Sequence, residues 1–234
     1  MEDRIVRSEL YKWFEHAQYL GNDGPKAFAP TARKIADLLD ATRAITVIDT
    51  KTSTPSWLSA DLDSRAANEF ISCENGLIHW PTRALCPHRP GYYVHHSVPF
   101  AFDAKAPVPK RWLAFLEELW DGDPESIDTL QEIFGYLVSG DVAQQKMFMM
   151  VGPKRGGKGT IARVLTRMLG RENVAGPTLA SLSTNFGLQD LIGKPVAIIS
   201  DARIGAKSDA SLIAERLLSI SGEDLQNVDR KYLS

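Results

Sequence analysis

The feature that most constrains the fold is a glycine-rich segment between an apolar run and an amphipathic stretch. The run Met147–Val151 is short and continuously apolar, which is typical of a strand covered on both faces. After the glycines of residues 152–159, apolar residues recur at helical spacing as far as Leu169. A second apolar run, residues 195–200, ends at Asp201. This alternation of strands and a helix predicts an α/β fold with a parallel sheet.

The glycine-rich segment fits the phosphate-binding pattern G-x4-G-K, with its threonine one position later than usual. Glycines let backbone N–H groups converge on phosphate oxygens, and a helix N-terminus favours the same anion. Lys158 is expected to reach the β- and γ-phosphates, and the Thr160 hydroxyl to face magnesium, because Gly159 has none. Lys154 and Arg155 contact phosphate or point to solvent. The predicted nucleotide-binding residues are Gly152, Pro153, Lys154, Arg155, Gly156, Gly157, Lys158, Gly159, Thr160 and Ile161.

Asp201 is the second candidate, because an acid at the tip of a neighbouring strand holds the magnesium shell in P-loop NTPases. We therefore expect Lys158 and Asp201 to be catalytic and Thr160 and Asp201 to hold Mg²⁺. The other interpretation is that Asp201 caps a turn. Arg203 contacts phosphate or forms a surface ion pair.

The first 140 residues have a different character. Residues 1–50 are predicted to be helical, and the β-prone runs 44–48, 76–80 and 92–98 predict a small antiparallel β region. Two helices follow: one spans Arg111–Trp120, and the other opens at the N-cap Asp123 and ends at Gly140. The helical pair is either a spacer or collar for oligomerisation or a set of ordinary core helices.

Composition excludes several classes of protein. No window approaches 18 consecutive apolar residues and the charged N-terminus lacks a secretory signal, so we expect neither a membrane partner nor export. Two cysteines are too few for a disulfide framework, which favours a reducing cytoplasm. A zinc site is disfavoured because the spacing lacks paired knuckles. The residues that would form it are Cys73, His79, Cys86, His88, His95 and His96.

Three segments carry a resemblance to a known family. GPKRGGKGT, GKPVAIISDAR and LLSISGEDLQNVDRKY resemble the superfamily 3 helicases, and more narrowly the D5-like primase-helicases of phages and plasmids. Upstream, ISCENGLIHWPTRALCPHRPGYYV is similar to the region that precedes those helicases. The resemblance spans about residues 30–234.

The resemblance implies an AAA+-like P-loop NTPase core, here incomplete, after a D5-like N-terminal region that is helical and then small-β. The implied boundaries are 1–109 for that region, 110–140 for a helical collar or spacer and 141–234 for the partial ATPase domain. The implied ligands are ATP, Mg²⁺ and single-stranded DNA, and the implied assembly is a homo-oligomeric ring, a hexamer. Arg230 and Lys231, which belong to the motif that runs from Ser221 to Tyr232, are expected to touch DNA phosphates.

Two departures limit what the resemblance implies. Ser200 stands where relatives often carry a first acid, and the family's sensor asparagine and arginine finger lie beyond Ser234. We therefore expect impaired ATP hydrolysis by this chain alone. Two other functions stay open: a nucleotide kinase, suggested by the G-K-G-T variant, and a non-catalytic nucleotide-binding oligomerisation module.

Overall fold

The structure, a computed structural model, describes residues 2–49, 51–59, 63–203, 205 and 208–231. It divides into two compact units, Met1–Thr52 and Ser53–Ser234. In the described residues, no helix is both long enough and apolar enough to cross a bilayer.

The first unit is two helices around a β-hairpin. Helix α1 spans Glu2–Phe14, strands β1 and β2 span Gln18–Gly21 and Gly24–Ala27, and helix α2 spans Ala32–Ile45. The expectation of an all-helical start was wrong because Asn22 and Asp23 form a turn that reverses the chain. The β-prone run 44–48 also forms no strand, since α2 continues into its first two residues.

The second unit begins with the predicted small antiparallel β region. Strands β4 (Phe70–Cys73), β5 (Gly76–His79) and β6 (Ala84–Cys86) form a three-stranded sheet in that order. Strand β3 (Ser56–Trp57) pairs with β7 (Tyr92–Tyr93), so only the start of the run 92–98 is a strand. A small core of Phe70, Leu77 and Tyr92 lies beneath these strands.

Three helices share the largest core of the second unit. They are α3 (Lys110–Leu119), α4 (Pro124–Ser139) and α5 (Lys158–Leu169), which agree with the predicted helices to within a few residues. The Asp123 side chain caps α4 by accepting from the Ser126 N–H at 3.1 Å, and Gly140 ends it in the left-handed conformation. The buried side chains of this core are Leu116, Leu130, Phe134, Ile161, Leu165, Leu169 and Val196.

The remaining elements are β8 (Val174–Ala175), α6 (Leu179–Leu182), β9 (Val196–Ala197) and α7 (Ala210–Ser221). Strands β8 and β9 pair in parallel. Helices α6 and α7 pack together around Leu182 and Ile213. Of the apolar run that ends at Asp201, only Val196 and Ala197 are assigned to a strand, which is shorter than predicted.

The run Met147–Val151 departs most from its sequence pattern. It forms no strand, and its exposed fractions range from 39% at Met150 to 82% at Val151. A strand needs a neighbour for its backbone hydrogen bonds, and the described residues place none beside this run. The prediction of a buried strand here was therefore wrong, while a larger parallel sheet stays a prediction.

Candidate functional site: the glycine-rich loop and its cleft

The glycine-rich loop leads directly into helix α5, which begins at Lys158. Gly157 caps the helix with φ 73°, and Arg155 also has a positive φ of 63°. The N–H groups of Lys158 and Gly159 have no backbone acceptor among the described residues. The first N–H groups of a helix are normally satisfied by caps, water or anions. This end of α5 therefore offers free donors to a negatively charged ligand.

The Lys158 side chain folds back over the loop that precedes it. Its ammonium donates to the carbonyl oxygens of Gly152 at 2.8 Å and of Pro153 at 2.7 Å. Both acceptors are neutral, so the charge of Lys158 has no carboxylate partner in the described part of the chain. Phosphate oxygens are stronger acceptors for an ammonium group than carbonyls are.

Helix α3 forms a wall beside the loop. A Cβ atom at Gly157 would lie 2.8 Å from Leu119 Cδ1 and 3.1 Å from Phe115 Cζ. Positive φ and this close approach together explain the glycine at this position. Loop and helix line an open cleft of about 870 Å³, within the range of about 300–1,000 Å³ that is usual for ligand sites.

The cleft is rich in positive charge. Five basic side chains line it, against two carboxylates, so its local charge is opposite to the chain's net charge of −2. Such a concentration attracts anions. The basic side chains are Lys154, Arg155, Lys158, Arg163 and Arg203, and the acidic ones are Glu118 and Asp201.

Asp201 lies in the cleft but is paired with a neighbour. The Arg203 Nε donates to both of its carboxylate oxygens, at 2.9 and 2.8 Å. These side-chain hydrogen bonds lower the pKa of Asp201 and raise the pKa of Arg203. Both side chains are exposed, so the pair is open to exchange with solvent or ligand.

The residues expected to hold Mg²⁺ fit that ion. Thr160 and Asp201 line one cleft and supply oxygen atoms, which Mg²⁺ prefers. Thr160 Oγ1 accepts a hydrogen bond from the Arg163 guanidinium at 3.0 Å. Among the described residues there is no group of three or more His, Cys, Asp or Glu side chains suited to a metal. Mg²⁺ at nucleotide sites needs only one or two protein ligands, because phosphates and water complete its shell.

Not every predicted binding residue reaches the cleft. Pro153 does not line it, and the Ile161 side chain is 2% exposed within the helical core. The Ile161 N–H donates to Gly157 O at 3.1 Å and is therefore already used by the helix. Arg230 is exposed outside the cleft.

Lys231 is also outside the cleft, where its ammonium lies 4.9 Å from the centre of the Phe186 ring. Its backbone N–H donates to Gln189 Oε1 at 3.0 Å. The Tyr232 of the same sequence motif falls outside the described residues.

His79, Cys73 and Cys86 of the β region are buried or bonded to other side chains. His79 is buried, with Nδ1 2.7 Å from Thr82 Oγ1 and Nε2 3.1 Å from Glu69 Oε2. Cys73 is buried, and burial raises its pKa to about 11. The Cys86 thiol instead accepts from the Arg65 guanidinium at 3.6 Å.

Sequence reasoning missed the contribution of α3 to the cleft. Phe115 and Leu119 were predicted only as part of the helix Arg111–Trp120, and Glu118 and Arg163 were not singled out. The apolar residues of that helix recur at helical spacing and form a stripe along it. The stripe does show which face of α3 packs inward. It carries no signal that this face continues onto the glycine-rich loop.

Comparisons with known families agree with part of the resemblance. Residues 25–121 match a family described as D5 N terminal like, and residues 150–234 match a family of unknown function (DUF5906). No curated protein matches the chain significantly. Regions of the first type form the N-terminal part of D5-like primase-helicase proteins of phages and plasmids. The chain thus carries a D5 N-terminal-like region, which associates it with phage and plasmid replication proteins.

Proposed function

We propose that the cleft binds ATP with Mg²⁺ and that the chain is the ATP-binding module of a replication helicase from a phage, plasmid or integrated element. One observation carries the proposal. One cleft is lined by the Lys158 ammonium, the free N–H groups at the start of α5 and the Asp201 carboxylate. These are the donors and the acid that a magnesium-bound triphosphate requires.

Each group has a distinct role in this site. Lys158 exchanges its two carbonyl acceptors for phosphate oxygens, and the first N–H groups of α5 donate to the same anion. Thr160 and Asp201 hold the metal, which requires Asp201 to leave Arg203. Bound Mg²⁺ neutralises part of the phosphate charge. Arg203, once released, remains in the cleft as a further cation for phosphate.

The helicase part of the proposal rests on the D5 N-terminal-like region and on the sequence motifs. Arg230 and Lys231 are exposed cations outside the cleft, as contacts to a DNA backbone must be. In a ring of identical subunits, two such residues per subunit give repeated phosphate contacts without a strongly basic chain.

Replacing Lys158 by alanine tests ATP binding. We expect Lys158→Ala to weaken Mg-ATP binding by roughly 100-fold, since two charge-assisted hydrogen bonds of about 1.5 kcal/mol each are lost. Isothermal titration calorimetry measures the affinity. Lys146→Ala is the matched control, because Lys146 is exposed and does not line the cleft. Equal ATP affinity of the Lys158→Ala and Lys146→Ala proteins would remove the assignment.

The same preparation tests the DNA contact by fluorescence anisotropy with a single-stranded oligonucleotide. Arg230→Ala combined with Lys231→Ala should reduce the salt dependence of binding by about 1.4 in log–log slope, or about 0.7 per lost phosphate contact. Arg167→Ala combined with Arg171→Ala removes the same charge from other exposed positions and should leave the slope unchanged. Identical slopes for the two double variants would rule out this contact.

A further inference from the structure

Three aromatic rings form a row that runs from the helical core to the cleft. Phe134 of α4 is buried, and Trp112 of α3 stacks on it with ring centroids 5.9 Å apart and an interplanar angle of 27°. Phe115 stacks on Trp112 in turn, at 5.5 Å and 29°. Phe115 is the last ring of this row and lines the cleft. The stacking contacts behind Phe115 support its ring in this position.

The end of the row lies directly against the phosphate-binding loop. Phe115 Cζ would be 3.1 Å from a Cβ at Gly157, the residue before Lys158. Leu119 Cδ1 would be closer still, at 2.8 Å, so α3 presents an apolar wall beside the loop. Phosphate groups use the N–H groups and cations that line the cleft, and they have no use for an apolar surface. The wall matches the flat, apolar face that a nucleoside base carries and that phosphate lacks.

We propose that Phe115 and Leu119 form the base-binding wall of the cleft, with the base of the nucleoside triphosphate packed against the Phe115 ring. This inference rests on the proposed nucleotide site and adds where the base binds. The cleft volume of about 870 Å³ leaves room for a base and ribose beyond the phosphates. Because every base has a π-face, the wall selects nucleotides over inorganic polyphosphates more than it selects one base over another.

The test compares Mg-ATP with inorganic tripolyphosphate and Mg²⁺, because both carry three linked phosphates and only ATP carries a base. Titration calorimetry should show ATP binding about 10-fold more tightly than tripolyphosphate, as expected for one stacked base. Phe115→Leu keeps an apolar side chain but removes the ring. It should weaken ATP about 10-fold and leave tripolyphosphate within about 2-fold. Phe115→Tyr restores a ring and should bind ATP within about 3-fold of the parent.

The control is Phe148→Leu, the same substitution at an exposed phenylalanine outside the cleft, which should change neither affinity. Equal losses for ATP and tripolyphosphate in Phe115→Leu would overturn the inference, since they would show that the ring only shapes the loop. Unchanged ATP affinity in Phe115→Leu would also overturn it. If the parent chain bound neither ligand, the proposed function itself would fail. That result is distinct from a parent that binds both equally, which overturns only the base-binding wall.

Discussion

Charged side chains are paired with opposite charges beside the three-stranded sheet, whereas most of those around the glycine-rich loop are not. Beside the sheet, the carboxylate of Asp63 is 7% exposed and pairs with Arg65 at 2.6 Å and with Arg89 at 3.1 Å. The hydrogen bonds from Arg65, and to a smaller extent the charge of Arg89, hold the pKa of Asp63 well below its usual range. His79 likewise lies between Glu69 and Thr82. The polar groups of this region therefore satisfy one another's hydrogen bonds and charges.

Around the loop, the cations lack such partners. In the described part of the chain, none of the four basic side chains of the loop and of α5 facing the cleft is within ion-pair distance of a carboxylate. They are Lys154, Arg155, Lys158 and Arg163. Polar groups that satisfy one another stabilise a fold, whereas converging cations without counter-charges are typical of an anion site. The contrast favours a structural role for the charged groups beside the sheet and a ligand-binding role for those around the loop.

Among the glycine substitutions, the largest expected effect that separates the two regions comes from Gly157→Ala. Alanine at this position would need a positive φ, and its methyl group would lie 2.8 to 3.1 Å from atoms of Leu119 and Phe115. The loop would therefore have to shift. We expect ATP affinity to fall roughly 30-fold, which corresponds to about 2 kcal/mol.

Gly193→Ala is the control, because Gly193 has nearly the same φ, +70°, with nothing within 4 Å of the added atom. It should leave ATP affinity unchanged in the same calorimetric titration. Similar losses in both variants would mean that backbone strain alone, and not the fit of α3 against the loop, governs binding.

A smaller effect, on stability alone, is expected at the contact between His96 and the end of α4. A Cβ at Gly140 would lie 2.5 Å from His96 Nε2, whereas Gly122, with a similar positive φ, has open space around it. Gly140→Ala should therefore reduce the free energy of unfolding by about 1 kcal/mol more than Gly122→Ala does.

Urea unfolding measures both variants, and ATP affinity should stay unchanged in each. Loss of nucleotide binding in Gly140→Ala would show that the β region takes part in the site, and the contrast between the two regions would then fail.

The helices of this chain could be predicted because their signals are local. Asp123 and Pro124 begin α4, Gly140 ends it, and the apolar spacing of α3 and α5 marks the faces that pack in the core. The hairpin β1–β2 was missed although its turn residues were visible. Short elements contribute few residues to any periodic pattern, so a turn signal weighs more there than periodicity.

The strand prediction at Met147–Val151 failed for a non-local reason. Continuous apolar residues indicate burial only if other elements cover both faces, and the sequence of the run does not specify them. In the described structure this run stays exposed.

The candidate site divides in the same way. The loop residues from Gly152 to Thr160 are contiguous, so their spacing alone indicated phosphate binding. Phe115 lines the cleft because α3 packs beside the loop, and Arg163 lines it because its side of α5 faces the cleft. Packing between elements depends on shape complementarity that a single sequence does not reveal.

Hydrogen exchange followed by mass spectrometry tests the central claim most directly, because it reports on the loop and the sheet in one experiment. With Mg-ATP, we expect slower exchange in peptides covering residues 154–160, whose free N–H groups would donate to phosphate. Peptides covering residues 70–79 should be unchanged, and Lys158→Ala should abolish the difference. No added protection at the loop, or protection confined to the sheet, would contradict the account.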